Sequence, residues 1–259
     1  MTPIVLHHGL FGFGNVQLGP IPIRYYSGGI ERIIAERGHP LILARCHPTG
    51  PIEIRARQLK EQILQQLRST GRRNQRVVIL AHSMGGLDAR YMITHLGMAD
   101  RVAALLTLGT PHRGSSYADW VVRNLGQRLG GAKLMRMLGI DVRAIAELTT
   151  AAVDHFNAAT PDAPGVRYFS VAGTRPLLKV APIFAHSCHV VYRCEGENDG
   201  IVSLVSARWG ELLGVWPVDH LHMINKRLTP EAMLPRNDVT PRYAAILETL
   251  RQRGVLEDP

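Results

Sequence analysis

The stretch Val77–Arg90, VVILAHSMGGLDAR, constrains this chain more than any other. Val77, Val78, Ile79 and Leu80 form an unbroken apolar run, suited to a strand covered on both faces. Ala81-His82-Ser83-Met84-Gly85-Gly86 follows at once, and the next residues read as a helix. A serine on so sharp a strand-to-helix turn has a strained backbone, and bulk at Ala81 or Gly85 would strike neighbouring main chain. A helix starting straight after the serine aims free N–H groups and its positive dipole end where an oxyanion would develop. The segment predicts a parallel-strand scaffold that presents Ser83 as a nucleophile.

Strand and helix signals alternate along all 259 residues, which implies one α/β domain with a mainly parallel sheet and helices on both faces. Strands are expected at Ile4–His7, Leu41–Ala44, Val77–Ala81, Val102–Leu108, Val166–Ala172 and His189–Cys194, with a short one through Gly214–Pro217. Helices are expected at Ile30–Arg37, Ile54–Ser69, Met84–His95, within Ser116–Leu138, at Val142–Asn157 and at Pro241–Arg253. Gly38, Gly71 and Gly97 stand where helices should end. Residues from Ser115 to about Ile140 read as an insertion, with Tyr117, Val121, Leu125 and Leu129 on one helical face. That stripe suits either an ordinary amphipathic helix on the core or a mobile, lid-like cap.

Hydrophobic residues make up 46% and charged residues 20%, an ordinary globular balance, and no stretch is long and apolar enough to span a bilayer. Met1-Thr2-Pro3 leads directly into a strand without a secretory signal, so a cytoplasmic location is expected unless a secreted chain has been trimmed. The net charge of +9 suits an anionic surface or a basic surface spread over many faces, and no nucleic-acid motif accompanies it. Cys46, Cys188 and Cys194 are odd in number; Cys188 and Cys194 could bridge a short loop or stay free. Cys188 beside His186 and His189 matches no standard zinc spacing, and no metal site is expected.

A serine needs a base, and the base an orienting acid, which α/β-hydrolases supply in the chain order Ser, Asp or Glu, His. His220, in the loop PVDHLH, is the base candidate, and Asp199, in the turn ENDG, the acid; His222 and Asp219 are their rivals. Two backbone N–H donors should bind the oxyanion: Met84, after the nucleophile, and Leu10, in the glycine-rich loop HHGLFGFG. Phe11, Phe13, Trp120, Val121 and Leu125 are candidate walls of an apolar acyl pocket.

The chain resembles the bacterial true lipases of family I, particularly the compact Proteus-type branch of the Pseudomonas/Burkholderia group. HGLFGF, RARQL, AHSMGGLDARY, GTPHRGS, LTTAAVDHFN, NDGIVS and DHLHMIN carry the likeness, in the family's order. It implies an α/β-hydrolase fold, Ser83, Asp199 and His220 as the triad, and Leu10 and Met84 as oxyanion donors; the insertion at 115–140 makes a small helical lid, short beside the family's larger one. The substrates it implies are lipid or small carboxylic esters, with transient contact to a lipid surface. Family members bind Ca²⁺ through an Asp two residues after the catalytic histidine; His222 stands there, so no family-type Ca²⁺ and no other cofactor is expected. Their disulfide uses a cysteine after the acid, and none follows Asp199. The same machinery would serve a thioesterase, phospholipase or acyltransferase, and a silent hydrolase fold could act as a binding module.

Overall fold

The computed structural model describes residues 1–12, 16–18, 21–23, 25–27, 29–127 and 142–257. Its centre is a six-stranded, all-parallel sheet built from β1 (Ile4–His7), β4 (Leu41–Leu43), β5 (Val77–His82), β6 (Val102–Leu108), β7 (Arg167–Gly173) and β8 (Glu211–Trp216). The spatial order is β4-β1-β5-β6-β7-β8, and β2 (Val16–Leu18) and β3 (Ile21–Ile23) form a separate antiparallel pair.

Side-chain alternation along the strands feeds two cores. Ile4, Leu6, Val78, Leu80, Leu106 and Phe169 face one side, where α1 (Ile30–Glu36) packs against the C-terminal helix Thr240–Gln252. Val5, Val77, Ile79, Ala81 and Leu105 face the other, covered by α2 (Ile52–Ser69) and α3 (Gly85–His95). With both faces covered, β5 is buried at every position, which is why its sequence is a continuous apolar run. Gly38, Gly71 and Gly97 take φ values of 74°, 72° and 67°, the left-handed conformation that ends the helices before them.

Two expected elements differ. His189–Cys194 is not a strand but lies within the helix Ala185–Glu195. Ser187, Cys188 and Val191 are buried on one side of it, a helical spacing that the β-branched pair Val190-Val191 obscured. Cys188 is buried and Cys194 exposed on this one helix, and both are free thiols. Six residues of helical rise, about 9 Å, separate them too far for a bridge. The single helix expected over Val142–Asn157 is two, Val142–Ala146 and Thr150–Ala159, because Thr149 caps the second by accepting the Ala152 N–H. Within the insertion, α4 runs Ser116–Gln127; Leu129 and the rest of 128–141 lie outside the described residues.

Candidate active site

Ser83 ends β5 at φ 58°, a left-handed conformation that a non-glycine residue holds only when its surroundings impose it. Those surroundings are visible. The Ser83 N–H donates to Leu108 O at 2.9 Å, and its carbonyl accepts from Thr110 Oγ1 at 2.7 Å and the Gly86 N–H at 3.0 Å. The small residues after it are needed because other chain segments press in. A β-carbon on Gly85 would lie 2.7 Å from His8 O, and one on Gly86 2.3 Å from Thr110 Oγ1.

Asp199 and His220 meet above the neighbouring strand ends. His220 Nδ1 donates to Asp199 Oδ2 at 2.7 Å, and both side chains are buried. The other carboxylate oxygen accepts the Ile201 and Val202 N–H groups at 3.0 and 2.8 Å, so the acid is fixed from both sides. The pair is tied to the serine through Gly109, the residue after Leu108. A β-carbon there would lie 2.9 Å from Asp199 Oδ2 and 3.3 Å from His220 Nδ1. Asp199 does not follow a strand, as its sequence position suggested; it follows the helix Ala185–Glu195 and is placed over Gly173 at the end of β7. The rivals are engaged elsewhere. Asp219 accepts from the Ala181 and His222 N–H groups, and His222 Nε2 donates to Asn237 O at 2.7 Å. Where the resemblance led to a carboxylate, His222 presents an imidazole whose Nε2 is spent on a carbonyl.

The loop after β1 lies directly on the serine, since a β-carbon on Gly9 would come 3.0 Å from Ser83 Oγ. Neither the Leu10 nor the Met84 N–H has a hydrogen-bond acceptor among the described residues, as oxyanion donors require. The Leu10 and Met84 side chains join Ile52, Leu87, Ala144 and Val153 in one apolar cluster. Phe11 is 46% exposed at the mouth, with φ 56°. Trp120 and Val121 are half-buried on α4, where the Trp120 ring packs against His186 at 4.5 Å, on the helix Ala185–Glu195. The structure does not bring these two to the serine. Phe13 and the Leu125 side chain lie outside the described residues.

Sequence reasoning missed the groups that hold this machinery in place. Arg55 is fully buried; its Nε donates to Asp88 Oδ2 at 2.8 Å, and its Nη atoms to the carbonyls of His47 and His8 at 2.5 and 2.6 Å. His7 Nε2 donates to the same Asp88 oxygen. A second chain runs through Tyr25, whose hydroxyl accepts the Gly9 N–H at 3.0 Å and donates to His82 Nδ1 at 2.7 Å. His82 Nε2 then donates to His220 O at 2.9 Å. Burial pushes the His82 pKa well down, consistent with a neutral ring that accepts at one nitrogen and donates at the other.

The structure superposes on the mature form of Bacillus licheniformis lipase BlEst2 with a TM-score of 0.71, covering 95% of this chain and 91% of that one at 23% identity. The chain has the α/β-hydrolase fold. Within this α/β-hydrolase, residues 56–153 match the family described as PGAP1-like alpha/beta domain. Triacylglycerol lipase 2 of Saccharomyces cerevisiae is 35% identical over 218 residues, 82% of this chain and 65% of the yeast protein. The chain thus spans just under two thirds of that relative's length. The triacylglycerol lipase of Vibrio cholerae is 27% identical over 287 residues, 98% of this chain and 88% of that protein. The likeness extends to fungal and bacterial lipases and does not single out the Pseudomonas/Burkholderia branch.

Proposed function

We propose that this α/β-hydrolase is a carboxylic ester hydrolase, a lipase or esterase working through a Ser83 acyl-enzyme. The carrying observation is the buried His220–Asp199 pair at 2.7 Å, packed against Gly109, the residue after the Leu108 carbonyl that holds Ser83 at φ 58°. Because Nδ1 carries the proton donated to Asp199, His220 offers Nε2 as the base. Ser83 gives its proton to Nε2 as Oγ attacks the ester carbonyl. Asp199 stabilises the imidazolium that forms, and the Leu10 and Met84 N–H groups receive the oxyanion. His220 then protonates the departing alcohol, and water repeats the attack to release the acid. No step passes through a metal.

The substrates are medium- to long-chain acylglycerols or related lipid esters, the reading supported by the triacylglycerol lipases among its relatives. Within that group we place the chain with the bacterial family I true lipases, on the motifs HGLFGF, NDGIVS and DHLHMIN. The insertion that begins with α4 serves as the lid, a role suggested by its helical apolar stripe.

The test is hydrolysis of p-nitrophenyl esters from acetate to palmitate, with emulsified triglyceride and a fluorophosphonate probe alongside. The parent should label and turn over, and Ser83→Ala should lose labelling and at least about 10³-fold in rate. Equal rates in both, or a parent that never labels, would sink the assignment and favour a silent binding module.

A further inference from the structure

Among the described residues eleven large hydrophobic side chains are exposed, and six of them fall in two short segments. Leu177, Leu178 and Ile183 precede the helix Ala185–Glu195; Leu228, Met233 and Leu234 flank the short helix Pro230–Met233. Leu178 is 97% exposed, Ile183 72% and Met233 61%. Single exposed apolar residues are ordinary on any surface, whereas a cluster marks a contact. These segments are far apart in the chain but adjacent in space. Glu231 pairs with Arg175 Nη2 at 3.1 Å and lies 3.9 Å from Lys179 Nζ. Val180, Ala181, Phe184 and Ala232, set between the exposed residues, are buried and anchor both segments to the body of the protein.

This face adjoins the catalytic base. The Ala181 N–H donates to Asp219, beside His220, and the Phe184 ring stands edge-on to the His220 ring at 6.4 Å. Its charge is one-sided as well. Residues 175–183 and 226–238 carry Arg175, Lys179, Lys226, Arg227 and Arg236 against Glu231 and Asp238, a net of +3. Apolar tips ringed by cations match one partner chemistry, an anionic lipid surface. Leucine, isoleucine and methionine enter the acyl boundary while lysine and arginine heads stay at phosphate level.

We propose that this face seats the enzyme on an anionic phospholipid bilayer, with the catalytic-histidine end of the sheet turned toward the lipid. The proposal rests on the lipase reading for what is cleaved there, but the seating itself needs no turnover. It is therefore tested on the full-length Ser83→Ala protein by co-sedimentation with two kinds of vesicle. One is phosphatidylcholine alone; the other contains about one third phosphatidylglycerol.

The anionic vesicles should bind the protein, and phosphatidylcholine alone should bind it at least tenfold more weakly. Lys179→Gln with Arg236→Gln should weaken anionic binding roughly 25-fold, about fivefold for each charge removed. Leu178→Ser with Ile183→Ser should weaken it by at least about tenfold. In the Ser83 background these last substitutions should leave hydrolysis of a soluble short-chain ester unchanged, which shows that the fold is intact. Equal binding to both vesicles, or binding indifferent to both pairs of substitutions, would overturn the proposal. Absence of ester hydrolysis by the parent would instead refute the lipase reading and leave the vesicle result to stand on its own.

Discussion

Lowering the pH from about 7.5 to 5.5 should cost this fold about 4 kcal/mol, through histidines that the structure holds neutral. His7, His8, His82 and His112 are all at most 2% exposed. Burial pushes His8 down to about 3, helped by His7 and Arg55 nearby. Its geometry agrees, since Nδ1 donates to Gly9 O and Nε2 accepts the Cys46 N–H, leaving no place for a second proton. Burial drives His82 and His112 well below the usual value and lowers His7 against the pull of Asp88. An unfolded histidine takes up a proton below pH about 6.5, while these stay neutral, so the unfolded chain binds more protons. The stabilisation is complete above that pH and is lost as pH falls, by close to 1.4 kcal/mol per unit for each ring. Three rings, His8, His82 and His112, over the single unit below 6.5 give the stated loss, a large part of the roughly 5 to 15 kcal/mol that domains possess. His39 and His222, also lowered by burial, act in the same direction. The Asp219 carboxyl, raised by burial, opposes them and only at lower pH. Urea unfolding across this range measures the slope, and His112→Gln should remove about a third of it. A stability constant to within about 1 kcal/mol between the two pH values would refute the assignment of neutral rings.

Tyr25→Phe deletes the hydroxyl that links the Gly9 N–H to His82, leaving two buried polar groups unpaired. It should cost about 1 to 3 kcal/mol in stability and lower kcat roughly tenfold with KM little changed, measured by urea unfolding and steady-state ester hydrolysis. An unchanged kcat would show that the chain from Tyr25 to His220 does not position the base. Gly109→Ala would place a methyl 2.9 Å from both Asp199 Oδ2 and Met223 Sδ at a residue with φ 57°. Its kcat should fall at least about tenfold, with soluble-ester turnover as the readout, and a fully active variant would contradict the close approach.

The parts of the site that were legible in the sequence are those whose signal is local. The β5–Ser83–α3 unit spells its own geometry, because an apolar run, a pinched serine and small residues are contiguous in the chain. Asp199 and His220 were legible from chain order and loop context, although the acid's neighbour proved to be a helix. What stayed hidden depends on distant segments closing on one another. Arg55, on an outwardly ordinary amphipathic helix, is buried only because β1, the loop through His47 and Asp88 converge on it. No spacing rule marks a fully buried arginine among the scattered surface arginines of so basic a chain.

Tyr25 and His82 show the same limit from another direction. Each reads locally as a residue near a turn, and only the fold reveals that their hydrogen bonds run in one direction, from the oxyanion loop to the base loop. In the proposed mechanism Ser83, Asp199 and His220 sit on separate loops whose relative positions decide the rate, and a misplacement of about 1 Å can cost 10²-fold. A sequence that places a reactive serine on one strand therefore also needs buried polar links between loops. Those links belong to the design of the proposed site as much as Ser83, Asp199 and His220 do, although neither Arg55 nor Tyr25 is given a chemical step.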